Sequence, residues 1–435
     1  MPRYAADGCS TLVQLRTLIG GPQLETIRSE ASAHRGPSRW YNTTSRIEGF
    51  QELMATDADP HDNPHVAQSA EGQSGAETGS AETGGGDTAV GGVSLQKQAL
   101  RLLAAVLVLA LIVAAPFFRD SLEPQAIYVQ EPGHEQTGHR YLYDERLGWR
   151  NIPNWQATTH GRKLTTNALG MRDRPYAVQK PQGTYRILFL GGSFTWGYGV
   201  ADAEVFTEVL EEKLSAQQKT SGAYEVLNTG VSGWGTDQEL LFLMDEGFRF
   251  DPDLVVLSFN LTENPLYNVS SVQFGLAKPM FLDTRLKLGN VPVPKPGTDY
   301  PQLTCSADQV DLTIAILERM AEKCSQHGCP LVVMKFGAFH YRHHSEFRDS
   351  DKVQTELTKL ESRFDAVLNS DSRMRLLDLD QAFAARGLVL DQILSGNFDG
   401  HWNAFGHRQV AVILHQFLKD QELVGPDRAR VAGAD

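Results

Sequence analysis

Short apolar runs alternate with longer amphipathic segments from residue 186 almost to the C-terminus. The runs predict strands at residues 186–191, 224–227, 254–259, 331–336 and 373–379. The segments between and after them predict helices at residues 205–216, 237–247, 308–324, 352–368 and 403–423. Strands that alternate with helices in this way indicate a parallel sheet with helices packed on both faces, which is an α/β fold.

Two stretches depart from this alternation. Residues 119–183 are a linker followed by short extended pieces that Pro, Gly and Asn interrupt, and they predict a small β-rich lead-in. Residues 260–304 are again rich in Pro, Gly and Asn, and they predict a hairpin insertion. The main α/β domain is therefore expected over residues 184–425, with an insertion at 260–304.

The first 96 residues predict no fold. Residues 72–91 are a tract of Gly, Ser, Thr, Glu and Ala with almost no apolar side chains. Such a tract cannot bury enough surface to offset its ordering entropy. Residues 1–96 are therefore interpreted either as a disordered cytoplasmic tail or as sequence upstream of the true start codon.

A membrane anchor is predicted next. The uncharged run LLAAVLVLALIVAAPFF is near the low end of the ~17–25 residues that span a bilayer. Arg101 could extend it by reaching the interface, so residues 99–118 predict a transmembrane helix. The alternative is a signal peptide cut after Ala115, but Pro116 and the long polar segment upstream favour an uncleaved anchor. Because Lys97 and Arg101 precede the uncharged run, the N-terminus is expected in the cytoplasm and the later domain in the periplasm or at the cell surface.

Charge and cysteine content argue against several other classes. The formal net charge of -13 opposes nucleic-acid binding. The four cysteines are too few for a disulfide scaffold, and none has the Cys-x-x-Cys spacing of a metal site. Neither a metal nor a cofactor is therefore predicted. Outside the cytoplasm, Cys324 and Cys329 could form a disulfide or remain buried thiols, and the sequence leaves both open.

A serine follows the first predicted strand directly. Gly191 and Gly192 allow a sharp turn, and Ser193 comes next. A serine placed there lies at the C-terminal edge of the sheet, where open α/β sheets bind ligands. The position suits a nucleophile, although serine is also common in turns and at helix N-caps.

Three further polar or glycine-rich stretches are expected at the same edge. They are NTGVSGWG at 228–235, NLTEN at 260–264 and DGHWN at 399–403. Because loops that follow parallel strands or precede helices meet at one edge, these stretches could bring together a nucleophile, backbone donors and an acid–histidine pair.

The motifs GGSFTWG, NTGVSGWG and DGHWNAFGH, in this order, resemble those of the SGNH/GDSL hydrolase superfamily, in particular its membrane-anchored bacterial members. The resemblance covers about residues 140–422. It implies a flavodoxin-like three-layer sandwich with a central parallel sheet. It also implies an activity on carboxylic esters, as in lipases, acyl esterases and sugar O-deacetylases, while some relatives transfer acyl groups.

The resemblance assigns roles to particular residues. Ser193 would be the nucleophile, His401 its general base, and Asp399 the carboxylate that holds His401 in the productive tautomer. The backbone N–H groups of Ser193 and Gly233 would bind the oxyanion. The chain departs from the family pattern in having Gly192 where aspartate is usual before the serine.

The sequence offers three candidates for the third oxyanion donor. In the family it is an asparagine, but counting without gaps places Thr262, followed by Glu263, in that slot. Asn260 and Asn264 lie two residues to either side. One of the asparagines could donate, the Thr262 hydroxyl could donate, or the hole could be weakened.

The roles of other side chains near these motifs are also open to more than one interpretation. Trp196 and Trp234 are predicted to line the substrate site, with Tyr198 beside them, but packing explains them equally well. His407 is expected to pack in the last helix and not to act as a second base. A histidine cluster after the strand at 331–336 is expected to lie in a solvated or substrate-lining loop and not to bind a metal. Its members are His340, His343 and His344.

The sequence therefore predicts a membrane-anchored, extracytoplasmic serine esterase with a Ser-His-Asp triad. Its partners would be an ester substrate, such as an acylated glycan or lipid, and the membrane through residues 99–118. One alternative is an O-acyltransferase acting on an envelope or exported glycan. Another is a catalytically inactive binding module that keeps the fold.

Overall fold

The computed structural model describes residues 127–129, 141–159, 161–216, 223–345, 347–395 and 400–425, which all belong to one unit of the chain. The tail predicted at 1–96 and the anchor predicted at 99–118 lie outside these residues. Within the described ranges, no helix is both long and apolar enough to cross a bilayer.

A parallel sheet forms the centre of the fold. Its five strands are β1 (Thr184–Leu190), β2 (Ala223–Asn228), β3 (Leu254–Asn260), β4 (Leu331–Phe336) and β5 (Met374–Asp378), in the spatial order β5-β4-β3-β1-β2. All neighbouring pairs run parallel. The chain leaves β1 toward one edge and later returns on its other side, so the strand order reverses next to β1. In open α/β sheets, ligands bind at such a point, outside the carboxyl ends of the strands.

Ten helices are described around the sheet. They are α1 (Ser193–Trp196), α2 (Phe206–Ala216), α3 (Thr236–Asp245), α4 (Asn264–Asn268), α5 (Gln309–Gln326), α6 (Ala338–His343), α7 (Asp351–Ser370), α8 (Leu379–Ala385), α9 (Leu390–Ile393) and α10 (Ala404–Asp420). Two 3₁₀ turns occur at Asp202–Glu204 and Gly247–Phe250. Helices α3, α5 and α7 cover one face of the sheet, and α2, α8 and α10 cover the other. The predicted parallel sheet with helices on both faces is thus confirmed.

The apolar run of β1 explains why it occupies the middle of the core. Successive side chains of a strand point to opposite faces. Leu188 and Leu190 pack in the layer under α3, α5 and α7, whereas Ile187 and Phe189 pack under α2, α8 and α10. Because helices cover both faces, every residue of β1 is buried, and the run is continuously apolar where it crosses the core.

The region before β1 is built of short antiparallel strands. Three of them, Tyr128–Val129, Tyr141–Asp144 and Gly148–Arg150, form one sheet, and Gln156–Thr159 pairs with Arg162–Thr165 in a hairpin. Trp149 is buried, and its indole N–H donates to the carbonyl of Ser232 at 3.0 Å. The lead-in therefore contacts the loop that follows β2.

The insertion after β3 contains α4 and two small hairpins. The first pairs Val272–Gln273 with Leu276–Ala277, and the second pairs Met280–Phe281 with Leu288–Gly289. Between them, Lys278 is fully buried and forms an ion pair with Asp237 in the first turn of α3. Removing one partner of such a pair costs about 3–5 kcal/mol, because the other charge is left buried. The ion pair therefore ties the insertion to α3.

The described cysteines are free thiols. Cys324 lies in α5 and is buried, and Cys329 is buried just before β4. The thiol of Cys329 is 3.6 Å from the carbonyl oxygen of Cys324. Of the two alternatives left open by the sequence, the structure has the buried thiols.

Candidate active site

The structure brings Ser193 and His401 together, although 208 residues separate them in the chain. The Oγ atom of Ser193 lies 2.6 Å from Nε2 of His401. This is within hydrogen-bonding distance for a hydroxyl and the base that would take its proton. Both side chains are half-buried, so the pair remains open to a ligand.

Two glycines hold the serine in place. A Cβ atom at Gly191 would lie 2.1 Å from Oγ1 of Thr195 and 3.0 Å from Cβ of Ser258 on β3, so no larger residue fits. Gly192 is the N-cap of α1, and Ser193 is the first residue of the helix. Ser193 is therefore not the N-cap, and its hydroxyl is directed to the histidine.

The loop that carries His401 is fixed by backbone and side-chain hydrogen bonds. Asn403 caps α10 by accepting from the N–H of Gly406 at 2.9 Å, and its amide donates to the carbonyl of Leu394 at 2.8 Å. The imidazole packs against two rings, with centroids 4.6 Å from Phe194 and 4.7 Å from Tyr198. These contacts restrict the orientation of the imidazole toward Ser193.

Asp399, the predicted third member of the triad, lies outside the described residues. Its role therefore remains a prediction from the DGH motif.

The loop after β2 packs against the serine turn. The backbone N–H of Val231 donates to the carbonyl of Gly191 at 3.0 Å. The side-chain amide of Asn228 donates to the carbonyl of Thr195 at 2.8 Å, and its oxygen accepts from the N–H of Gly230 at 3.0 Å. Gly233, the predicted second oxyanion donor, has φ of 81°, a conformation that favours glycine.

The candidates for the third donor differ in what their side chains already bind. The Thr262 hydroxyl donates to Oδ1 of Asn260 at 3.0 Å, so its proton is already used. Oδ1 of Asn264 accepts from the backbone N–H of Asn260 at 2.7 Å. Within the described part of the chain, no hydrogen bond is made by the Nδ2 groups of Asn260 and Asn264. Both asparagines therefore keep a donor for a ligand.

Strand register favours Asn260 over Asn264. Leu190 of β1 is paired with Leu257 of β3. Ser193 and Asn260 each come three residues after this pair, so both lie at the same carboxyl edge of adjacent parallel strands. Counting without gaps points to Thr262, but its hydroxyl already donates to Oδ1 of Asn260. The third donor therefore stays a prediction, and the register and the free amide favour Asn260.

A second carboxyl group, Glu263, lies within electrostatic range of His401. Burial raises the pKa of Glu263, and the positive charge that His401 can carry opposes that rise. The hydroxyl of Tyr267 donates to its Oε2 at 3.3 Å. Glu263 had no predicted role, and its position directly after the NLT stretch was the only available signal.

The two tryptophans predicted to line the substrate site are packing residues. Trp196 is 1% exposed and Trp234 is 2% exposed. The indole of Trp234 donates to the carbonyl of Trp149 at 2.9 Å. The substrate-lining prediction is therefore wrong for both, because their rings point into the protein, and Tyr198 against His401 is the accessible aromatic of that group.

Arg172 organises the loop that follows the nucleophile helix. Its buried guanidinium donates to the carbonyls of Trp196 at 3.1 Å, Gly197 at 2.5 Å and Val200 at 2.6 Å, and it pairs with Asp202 at 2.8 Å. Because this loop includes Tyr198, Arg172 fixes the ring that packs on the histidine. Sequence reasoning missed it because no local pattern marks an arginine that binds carbonyls across the fold.

The second histidine of the DGHWNAFGH motif, His407, packs inside the fold. His407 is 1% exposed in the first turn of α10, where its Nδ1 accepts from the N–H of Phe206 at 3.3 Å. Burial, with the charge of Arg172, lowers the pKa of His407 to about 3, so it packs as a neutral ring. The predicted packing role is confirmed.

The histidine cluster after β4 is helical, and the loop prediction is wrong. His340 and His343 lie in α6, and His344 ends it. The carboxylate of Asp380 binds the first backbone N–H groups of this short helix, which is what stabilises it. Among the described residues, no His, Cys, Asp or Glu group could hold a metal.

Several solved structures resemble this fold. They are a lipase/acylhydrolase from Enterococcus faecalis (17% identity, TM-score 0.34, 56% of this chain and 98% of that chain covered), a catalytic mutant of an acetylxylan esterase from Geobacillus stearothermophilus (15%, 0.35, 54% and 93%) and a GDSL-like lipase from Bacteroides thetaiotaomicron (13%, 0.32, 54% and 88%). No family model and no curated protein matches the chain.

The Bacteroides structure is described as a GDSL-like lipase, and GDSL hydrolases are the class that the three sequence motifs resemble. The five-stranded parallel sheet with helices on both faces is also the arrangement expected for that class.

Proposed function

We propose that this protein is a serine esterase that hydrolyses carboxylic esters with Ser193 as the nucleophile. The observation that carries the proposal is the 2.6 Å distance between Ser193 Oγ and His401 Nε2 at the carboxyl edge of the sheet. A hydroxyl activated by a neighbouring base is the arrangement that nucleophilic catalysis needs.

The reaction would proceed in two steps. His401 takes the proton of Ser193 as Oγ bonds to the ester carbonyl carbon, and the negative charge on the carbonyl oxygen is bound by N–H donors. The alkoxide leaves with the proton from His401, and the acyl group stays on Ser193. His401 then takes a proton from water as the water oxygen bonds to the acyl carbon, and it gives that proton to Oγ as the C–Oγ bond breaks and the carboxylic acid is released.

The charge on the carbonyl oxygen would be stabilised by three donors. These are the backbone N–H groups of Ser193 and Gly233 and the side-chain amide of Asn260. The free Nδ2 group of Asn260 and its place in the strand register support the third assignment. Asp399 would orient His401 by accepting from Nδ1, as the DGH motif implies.

The proposal includes a location. Residues 99–118 would anchor the protein in a membrane, with the catalytic domain outside the cytoplasm. The uncharged apolar run and the basic residues before it support this orientation. The substrate would then be an acyl or acetyl ester of an envelope glycan or lipid.

The central test is Ser193→Ala, assayed on p-nitrophenyl acetate. Loss of the nucleophile should lower kcat/KM by at least about 10³-fold, because only transition-state binding remains. Ser306→Ala, at an exposed position far along the chain from the motifs, is the matched control and should retain full activity. Full activity in Ser193→Ala would refute the proposal.

A labelling experiment separates this function from an inactive binding module. A fluorophosphonate probe reacts preferentially with an activated serine, and Ser193 should be the labelled residue in a tryptic digest. Absence of label in a folded protein would favour the binding module.

A further inference from the structure

Phe274 occupies an unusual backbone position in the insertion. Gln273 and Leu276 are paired, so Phe274 and Gly275 form a two-residue hairpin loop with φ of 50° and 74°. Loops with two such residues favour Asn, Asp and Gly. A bulky side chain with positive φ is an outlier, and such outliers cluster at functional sites.

The Phe274 ring lies over the loop that would bind the oxyanion. Its Cδ2 and Cε2 atoms are 2.9 and 3.0 Å from the position that a Cβ atom on Gly233 would take. The ring meets Tyr267 edge to face, with centroids 6.0 Å apart. It is nevertheless 38% exposed. The ring therefore covers Gly233 on one side and remains accessible to a ligand.

The hairpin that carries the ring has a rigid support. Lys278 follows the hairpin directly, and its buried ion pair with Asp237 connects it to the start of α3, just after Gly233. On the other side, a Cβ atom at Gly148 would lie 2.6 Å from the carbonyl oxygen of Ala277, so the lead-in packs closely against the hairpin. The lead-in and the start of α3 thus hold both the Phe274 ring and the loop after β2 that contains Gly233.

The position of His401 indicates which part of an ester would meet the ring. The leaving alcohol must lie within hydrogen-bonding distance of Nε2 of His401, because it receives its proton there. That side of the site is bounded by Tyr198, which packs on the imidazole. Because the alcohol would occupy that side, the acyl group would lie on the other side, against the loop after β2 that contains Gly233 and lies under Phe274.

We propose that Phe274 contacts the acyl group of the ester and makes the enzyme prefer acyl chains longer than acetyl. This inference rests on the proposed function of Ser193. Each methylene that the ring covers would be worth about 0.8 kcal/mol, or about 4-fold in kcat/KM. The exposed face of the ring provides this contact at a position where a turn residue would provide none.

The test compares two esters with the same leaving group, p-nitrophenyl acetate and p-nitrophenyl butyrate, on the full chain. In Phe274→Asn, the butyrate-to-acetate ratio of kcat/KM should fall by about 4-fold or more. Phe274→Leu keeps an apolar side chain and should retain most of the ratio. Val412→Asn, at an exposed apolar position on α10, should leave the ratio unchanged.

Thermal stability separates contact with the substrate from a structural role. Asparagine suits the positive φ at this turn, so Phe274→Asn should melt at the wild-type temperature or above. A lower melting temperature with an unchanged ester ratio would mean that the ring only packs on Gly233, and would overturn the inference.

The remaining outcomes are also decisive. An unchanged or increased butyrate-to-acetate ratio in a folded Phe274→Asn protein overturns the inference while the esterase assignment stands. If the wild type hydrolyses neither ester and a fluorophosphonate does not label Ser193, the proposed function fails and the role of Phe274 fails with it.

Discussion

Asp380 gives the stability of the domain a pH dependence that the structure explains. Its carboxyl is 8% exposed in the first turn of α8. Oδ2 accepts from the backbone N–H of Ala338 at 2.7 Å, and Oδ1 accepts from that of Gly337 at 3.4 Å. Burial, with the negative charge of Asp378, raises the pKa of Asp380 from 3.8 to about 7. The backbone donors oppose the rise without cancelling it.

The sign of the effect follows from proton binding. Between about pH 4 and pH 7 the folded protein keeps a proton on Asp380 that the unfolded chain has released. The free energy of unfolding therefore decreases as the pH rises through this range. A difference of about three pKa units corresponds to at most about 4 kcal/mol. The contribution is fully present below pH 4 and is lost above pH 7.

Asp380→Asn should remove this pH dependence. The amide cannot titrate, but its oxygen can still accept from the N–H of Ala338. Measured by urea unfolding and circular dichroism from pH 4 to pH 9, the variant should gain stability relative to wild type as the pH rises, by up to about 4 kcal/mol. Asp391→Asn, at an exposed position on α9, should follow the wild-type curve. Parallel curves for wild type and Asp380→Asn would refute the reasoning.

Two further substitutions test other parts of the fold. Gly337 has φ of 114°, and a Cβ atom there would lie 2.5 Å from Oδ1 of Asn260, so Gly337→Ala should displace the amide and lower kcat/KM by about 10²–10³-fold. Gly387 also has a positive φ, but a Cβ atom there would have no neighbour within 4 Å, so Gly387→Ala is the control. Equal kcat/KM values for the two variants would contradict the prediction. Neither carboxyl oxygen of Glu239 has a partner among the described residues, and burial raises its pKa well above the usual range. Glu239→Met should therefore increase the free energy of unfolding, measured in urea, by about 1–3 kcal/mol. Glu212→Met, at an exposed position, should leave it unchanged. A lower free energy of unfolding in Glu239→Met would show that the carboxyl stabilises the fold.

The sheet could be predicted because its strands are buried on both faces. A strand covered by helices on each side needs a continuous apolar run, and β1, β3 and β4 have one. Short apolar runs separated by amphipathic segments then leave few alternatives to a parallel sheet. The ends of the elements were less accurate, as for β1, which begins at Thr184 and not at Arg186, because terminal residues lack the apolar signal.

The approach of Ser193 to His401 could also be expected from the sequence. Both belong to stretches that the strand–helix alternation places at one edge of the sheet, so their separation of 208 residues does not matter. The supporting residues could not be found in this way. Arg172 and Phe274 act through contacts with distant loops, and no local spacing records such contacts.

The direction of an aromatic side chain was the least predictable feature. Trp196 and Trp234 lie in glycine-rich motifs, and a sequence motif does not indicate whether a ring faces a ligand or the core. Their burial depends on the lead-in and the helices that cover them. Phe274, which does remain exposed, lies in an insertion with no recognisable motif.

Whether an asparagine amide can donate to the oxyanion decides whether the site has a third donor for ester hydrolysis. The inactive-module alternative was based on Thr262 standing in the slot of an oxyanion donor, since losing one donor costs about 10²–10³ in turnover. In the structure, Thr262 supports the side chain of Asn260 through its N–H at 3.1 Å and its hydroxyl at 3.0 Å. Both bonds end on Oδ1, which fixes the amide with Nδ2 on the other side. A donor at the end of β3 is therefore held in one orientation by the residue that had suggested its loss. Thr262 in the asparagine slot, the feature that kept the inactive module as an alternative, therefore does not by itself argue for a missing donor.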